Sequence, residues 1–397
     1  MQKTRCLLLI GLIVITSQFA GCAVNGGDII GSEQSEEQSE EQDGSETLEP
    51  AFVDIRRTTP IPLNVSDMDY KAENLEMSKY VLDFGDRATS TTFCFAEGKI
   101  YYTLDYSSYY ESFLHEGKEV SFNPEDNTCI MVYDIETKET AMLYQYHEDR
   151  WVHTTDMQCN GRYLVWEDYN VEEEGWSIKC LDITDLGEPE IVAKENIGNG
   201  QLYTVTLKIT ERYLYWYDRE VDENGELGRC CIYRYDFENS QLEIVKNFID
   251  TSSPYDHISS IDGHLTTYRY YDEKESLILI EKENEEIKKI AVNDYVEDVQ
   301  SNGSICVWGI RDNRSTLYVY DIINEKYLSI NCKDIFSFAL YKNLLVVNQE
   351  NGLYVYNVRE NTYYVLRGED SKRCNYLYLG TDGVYAEEYT NSCIFIK

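Results

Sequence analysis

Apolar and polar positions alternate with a period of two in short runs, and those runs recur along the chain. The segments IMVYDIETKE (130–139), IYRYDFENSQ (232–241), LYVYDIINEK (317–326) and LYVYNVRENT (353–362) each set Tyr, Val and Ile ahead of an Asp or Asn and a polar stretch. Each has the pattern of a strand running into a turn. A second phrase, a tight polar turn followed by an apolar run, appears seven times: EGKIYYTL (97–104), NGRYLVWE (160–167), TERYLYWY (210–217), DGHLTTYR (262–269), NGSICVWG (302–309), YKNLLVVN (341–348) and DGVYAEEY (382–389). Helical periodicity is absent from these segments.

Successive turns lie 39 to 63 residues apart, the period of one four-stranded propeller blade. Each unit is predicted to be a meander. Its first strand ends in an Asn-Gly or Asp-Gly turn, whose residues accept the positive φ of a type I′ hairpin. A variable loop joins the second strand to the tyrosine-rich third. A fourth follows, as in AMLYQY (141–146), LEIVKNF (242–248) and YYVLRG (363–368). One such sheet leaves two apolar faces and two edges open, so each copy needs a neighbour on both sides. The expected fold is all-β, a seven-bladed β-propeller of four-stranded antiparallel blades, with six or eight blades as the alternative. The last copy stops at SCIFIK (392–397), after a third strand. KYVLDF (79–84) is expected to supply the missing fourth and close the circle; the plainer alternative is a final sheet one strand short.

The N-terminal region has a different character. Lys3 and Arg5 precede a short apolar core, CLLLIGLIVI (6–15), and FAGC (19–22) ends in small residues and a cysteine. The apolar run is too short for a membrane span and has the layout of a secretory signal. It resembles a bacterial lipoprotein signal, which implies cleavage after residue 21, a lipid on Cys22 and an extracytoplasmic address on the cell membrane. Phe19 departs from the leucine usual at that position, and a plain signal cleaved nearby is the alternative. Residues 22–50 are then an acidic tether: Asp28 to Glu49 holds nine carboxylates and no basic residue, too polar to repay ordering. Residues 51–78 form an N-terminal extension, and the propeller is expected over 79–397.

The whole chain carries a net charge of −37, of which about −30 falls on residues 51–397. Such a surface repels phosphate backbones and anionic headgroups, which argues against nucleic acid as a partner and confines membrane contact to the lipid anchor. The twelve cysteines form no CxxC pair and, apart from the vicinal Cys230-Cys231, sit singly in apolar runs. Cys94, Cys159 and Cys374 fall in first strands, and Cys129, Cys180, Cys231 and Cys393 in third strands. The expectation is free, buried thiols in place of a disulfide framework or zinc.

The GKIYY and VYDIETKE phrases resemble those of bacterial exported β-propellers: WD40-like, TolB-like and extracytoplasmic lipoprotein kinds. The resemblance spans residues 79–397 and implies architecture alone, since propellers host binding modules, lyases, hydrolases and scaffolds alike. The Trp-Asp signature of WD40 repeats proper, the aspartate box of sialidases, the Gly-x-Ser-x-Gly elbow and phosphate or dinucleotide loops are absent, and Gly-His occurs once in the repeats, at Gly263-His264.

Long loops between second and third strands cluster in the first three units: 105–128, 168–176 and 218–228. Variable loops on a rigid scaffold are where binding usually resides. Their candidate ligand-binding residues are aromatic and acidic: Tyr106, Tyr109, Tyr110, Phe113, Tyr169 and Trp176, with Asp168, Asp218 and Asp222. Aromatics stack on sugar rings or clamp cations, and the carboxylates suit a basic peptide. The alternative is a set of solvated loops with aromatics folded back on sheet edges. The expected function is a protein- or glycan-binding scaffold module; a metal-assisted polysaccharide lyase or glycoside-processing propeller is the rival. No catalytic residue, cofactor or metal ligand is assigned. EVDENGELGRCC (220–231) matches part of a calcium loop, but Cys231 stands where the bidentate glutamate belongs, so a hairpin loop is expected there and calcium lacks a motif. His115, His147, His153, His257 and His264 are dispersed without metal-ligand spacing. Trp166, Trp216, Trp308 and Tyr268 share one column of the repeat and are expected to pack between blades.

Overall fold

The computed structural model describes residues 51–63, 68–70, 77–81, 93–104, 128–147, 152–170, 175–196, 205–221, 227–248, 258–272, 275–283, 285–310, 313–350, 352–366, 377–388 and 392–396. They contain strands and turns, and no helix among them is long and apolar enough to cross a membrane. Four strands precede the repeats: β1 (Ala51–Asp54), β2 (Ile61–Leu63), β3 (Asp69–Tyr70) and β4 (Met77–Val81). Blade 1 is β5 (Phe93–Ala96), β6 (Lys99–Leu104), β7 (Cys129–Asp134) and β8 (Thr140–Gln145). Blade 2 is β9 (His153–Cys159), β10 (Tyr163–Asn170), β11 (Gly175–Asp182) and β12 (Glu190–Asn196). Blade 3 is β13 (Thr206–Ile209), β14 (Tyr213–Val221), β15 (Leu227–Asp236) and β16 (Gln241–Phe248). Blade 4 is β17 (Ser259–Ile261), β18 (His264–Asp272), β19 (Glu275–Lys282) and β20 (Glu285–Val292). Blade 5 is β21 (Val296–Ser301), β22 (Ile305–Ile310), β23 (Asn313–Asp321) and β24 (Lys326–Asn331). Blade 6 is β25 (Ile335–Tyr341), β26 (Leu344–Gln349), β27 (Gly352–Asn357) and β28 (Thr362–Leu366). The seventh is β29 (Leu377–Leu379), β30 (Val384–Glu388) and β31 (Ser392–Ile396).

Seven sheets result, each an antiparallel meander, and β4 completes the seventh by pairing antiparallel with β31 from Ser392↔Val81 to Ile396↔Met77. Closure by an N-terminal strand is therefore as expected, over 77–81 in place of 79–84. Seven apolar clusters follow the seven junctions between neighbouring blades. Cys94, Ile130, Met157 and Trp166 join blades 1 and 2, Val165, Ile178, Leu207 and Trp216 join 2 and 3, and Tyr215, Ile232, Ile258 and Leu265 join 3 and 4. Tyr268, Ile278, Val299 and Trp308 join blades 4 and 5, Val307, Leu317, Leu340 and Leu345 join 5 and 6, and Val346, Val355, Val384 and Ile396 join 6 and 7. Phe95 stacks on Tyr385 at 3.8 Å between ring centres and seals blade 1 against blade 7. The tryptophan column is buried at these seams, as the repeat position implies. Full burial of one such side chain contributes about 1.5–3 kcal/mol, so the stacked sheets stabilise one another.

The recurring Asp and Asn residues explain why the phrases repeat. Asp134 Oδ1 accepts the N–H groups of Glu136 and Thr137, Asp236 Oδ1 those of Glu238 and Asn239, and Asp321 Oδ1 those of Ile323 and Asn324. These are side-chain turns that end the third strand and start the fourth. The expected type I′ geometry appears at Glu97-Gly98, with φ of 50° and 72°, and at Asp262-Gly263, with 49° and 77°. At Asn160-Gly161 and Asn302-Gly303 only the glycine has positive φ. There the asparagine does two jobs instead. Asn160 Oδ1 accepts from Arg162 and Tyr163 N–H while its Nδ2 donates to Thr210 O of blade 3; Asn302 caps its own turn likewise and donates to Lys342 O of blade 6 at 2.6 Å.

Residues 51–70 add an outer layer that the repeat pattern does not announce. β1 pairs parallel with β20 (Ala51↔Lys288 to Asp54↔Ala291), β2 with β24 and β3 with β28. Blades 4, 5 and 6 thereby become five-stranded, belted around the rim by the segment that then enters blade 7. Ile55 and Met68 are buried in the seam clusters, and Arg56 forms ion pairs with Asp54 at 2.7 Å and Glu275 at 3.1 Å. The fourth strands of blades 1, 2 and 3, namely β8, β12 and β16, have no fifth strand among the described residues.

Candidate functional site

The innermost strand of each blade lines the central channel, and side chains there link neighbouring blades. Asp156 of β9 accepts the Leu207 N–H of β13 at 2.8 Å, and Ser260 of β17 donates to Ile209 O. Gln300 of β21 spans to β25, donating to Phe338 O at 3.0 Å and accepting from Leu340 N–H at 2.9 Å. Burial pushes the Asp156 carboxyl up, against the opposing pull of the Lys208 ammonium. The middle of the channel is a cavity of about 170 Å³ bordered by Gln158, Lys208, Ser260, Gln300 and Phe338.

A larger cavity of about 450 Å³ adjoins it, sharing Lys208, Ser259, Gln300 and Phe338. Its other walls are the starts of first strands (Thr206, Glu297, Asp298, Ile335, Phe336, Ser337) and the β22–β23 hairpin (Gly309, Ile310, Asn313, Arg314). The cavity therefore opens on the face that carries the loops between second and third strands. Its chemistry is mixed: Lys208 and Arg314 supply cations, Glu297 and Asp298 carboxylates, and Phe336 an exposed ring. Ser259 and Ser337 stand on its wall, and their Oγ atoms are buried with no hydrogen-bond partner among the described residues.

Blade 2 holds a separate buried polar group. Glu167 of β10 is 0 % exposed; Val205 N–H donates to its Oε1 at 3.1 Å, and Oε2 meets Thr155 Oγ1. Burial pushes its carboxyl up to about 8, so it holds a proton at neutral pH. On the opposite face of the same strand Asp168 Oδ2 lies 2.8 Å from Lys179 Nζ, Tyr146 donates to Asp168 Oδ1 at 2.9 Å, and Trp166 Nε1 donates to Tyr146 at 2.7 Å.

Of the nine aromatic and acidic residues expected to bind ligand, four are described. Tyr106, Tyr109, Tyr110, Phe113 and Asp222 lie outside the described residues. Tyr169 sits in β10 opposite Trp176 of β11. Asp168 belongs to the buried ion pair and Trp176 to the seam between blades 2 and 3, so neither stands on an open loop; β10 and β11 run further than the loop boundary at 168–176 anticipated. Asp218 is half-buried in β14. Val221 pairs with Leu227, so the partial calcium motif begins and ends in paired strands, and its residues 222–226 lie outside the described residues. Among the described residues no three His, Cys, Asp or Glu side chains are gathered to hold a metal. The cysteines at 94, 129, 159, 180, 231, 306 and 332 are free thiols, and all but Cys332 are buried. Sequence reasoning did not reach Lys208, Ser259, Arg314 or Ser337. The available signal was positional: each lies at a first-strand start or a second-hairpin tip of the repeat.

No protein-family model matches the chain, and no curated protein matches its sequence. Solved structures do resemble it in fold. The β-propeller domain of the Trilobed protease from Pyrococcus furiosus, described as having an open velcro topology, aligns at TM-score 0.51 and 12% identity over 77% of this chain and 93% of that one. A chain of a mitotic checkpoint complex aligns at 0.51 and 9% over 81% and 90%. An oligogalacturonate lyase from Vibrio parahaemolyticus aligns at 0.50 and 11% over 83% and 98%. At such identities the likeness establishes the β-propeller and nothing about activity.

Proposed function

We propose that this β-propeller is an exported binding or scaffold module, anchored to the cell membrane through a lipid on Cys22 and held off it by the acidic segment that follows. It engages a protein segment or an envelope glycan at the loop face, centred on the channel mouth. The observation that carries this reading is the 450 Å³ cavity on that face, lined by cations, carboxylates and a ring. Such a wall suits a ligand that both donates and accepts hydrogen bonds and offers an apolar face, as a peptide or a sugar does. The rival enzyme reading needs metal-binding side chains that the described residues do not gather, so no step through a metal is derived. A glycan array and a crosslinked envelope fraction, each probed with the intact protein and with R314E and F336D variants, test the site. Binding lost in both variants while the melting temperature stays within about 2 °C supports the mouth; undiminished binding rules it out. The anchor is tested separately by metabolic labelling with an alkynyl fatty acid, which C22S abolishes.

A further inference from the structure

We infer that the outer edge of β12 in blade 2 is a docking site for an extended, basic segment of a partner protein, added as a fifth strand parallel to β12. The chain itself shows the mode, since β1 occupies the matching edge of blade 4. Both outer strands carry one extra residue, a bulge, where their register against the third strand shifts: between Ile178 and Lys179 in blade 2 and between Ile280 and Glu281 in blade 4. After the bulge Lys288–Ala291 run regularly and accept β1. The counterpart in blade 2 is Ala193 to Asn196, also regular, with no strand of the described residues on its outer side. Among the described residues β16 and β8 have three and two regular residues past their bulges, and β12 has the four that match the edge β1 occupies.

The apolar surface agrees. Ile191, just before the bulge in β12, is 52 % exposed. An unpaired strand edge with apolar neighbours is the surface that β-augmentation uses. Charge selects the occupant. Asp185 and Glu188 in the turn before β12 and Glu190 at its start are exposed carboxylates, against the one exposed cation Lys194 on the strand, in a chain of net charge −37. A second copy is equally acidic, and the chain's own segment from Asp28 to Glu49 has nine carboxylates and no cation, so both are repelled. β1 again gives the chemistry: Val53 and Ile55 face the seam and Arg56 then meets Glu275. The partner segment has the same order, alternating apolar residues followed by basic ones.

The test is hydrogen–deuterium exchange of the full chain with a peptide of residues 51–58 carrying D54K, and with a control peptide that adds R56E and R57E. The basic peptide is expected to slow amide exchange in β12 at least tenfold at saturation, more weakly at high salt and more weakly still in an I191D variant, while the acidic control does nothing. No slowing in β12, equal slowing by the acidic peptide, or a change confined to β20 through displacement of β1 overturns the proposal. So does faster β12 exchange after deletion of residues 28–49, which assigns the edge to the chain's own segment. Protection that grows with protein concentration in the absence of peptide assigns it to a second copy and overturns it equally.

Discussion

Replacing Glu167 by glutamine is expected to stabilise the propeller in alkaline solution and leave it nearly unchanged in mild acid. Glu167 is fully buried between blades 2 and 3, with Val205 N–H and Thr155 Oγ1 at its oxygens and the Asp156 and Asp168 carboxylates adding repulsion. Burial raises its carboxyl from 4.5 to about 8. Between those values the folded chain holds a proton that the unfolded chain has released, so stability falls as pH rises. One pH unit corresponds to about 1.4 kcal/mol, and the interval therefore amounts to roughly 4–5 kcal/mol. The loss begins above the unfolded value and is complete once pH exceeds the folded one. In the E167Q variant the amide keeps an acceptor for Val205 and gains a donor for Thr155, with no titration. Urea unfolding followed by tryptophan fluorescence, for both proteins from pH 5 to pH 9, measures the difference directly. The advantage of E167Q should grow by on the order of 4 kcal/mol across that range. A difference independent of pH would show that Glu167 is already ionised in the folded protein, and the burial argument would fail.

Four further outcomes are expected. Ile396→Ala, at a fully buried position in the closing blade, should cost about 2–5 kcal/mol in denaturant unfolding; a cost below about 1 kcal/mol would mean that the ring is not sealed there. Asp168→Asn leaves the Lys179 ammonium buried without its counter-charge and should cost about 3 kcal/mol, whereas D168L with K179M should recover much of the loss in the same assay. Asp236 is held well below its ordinary 3.8 chiefly by hydrogen bonding from Arg212, so its contribution is fully present above about pH 4 and shrinks as pH falls further; a D236N variant should be less stable than the parent at pH 6 by a margin that narrows steadily below pH 4, and a deficit independent of pH would contradict the assignment. Burial raises the Cys129 and Cys159 thiols to about 11 and Cys180 to about 12, so an aromatic disulfide reagent should modify these sites only after denaturation; rapid labelling of the native protein, mapped by mass spectrometry, would contradict their placement.

The sequence by itself determined the repeat, the blade and the closure, because each is encoded locally. A strand of period two, an Asp whose side chain caps the following turn, and a glycine at positive φ are properties of a few consecutive residues, and Asp134, Asp236, Asp321, Gly98 and Gly263 display them where the pattern requires. The closing strand was legible for the same reason: a strand-like segment stands in front of the first copy, and Met77–Val81 pairs with Ser392–Ile396. Tertiary structure alone decided the rest. The belt pairs Ala51 with Lys288 and Ile61 with Leu328, contacts across more than half the chain that leave no local periodicity. Asp168 looked like a loop carboxylate until β10 and β11 brought it against Lys179 and Tyr146. The channel mouth draws Lys208, Ser259, Glu297, Arg314 and Ser337 from four different blades, and no spacing in the sequence records which side chains a closed ring turns toward its axis.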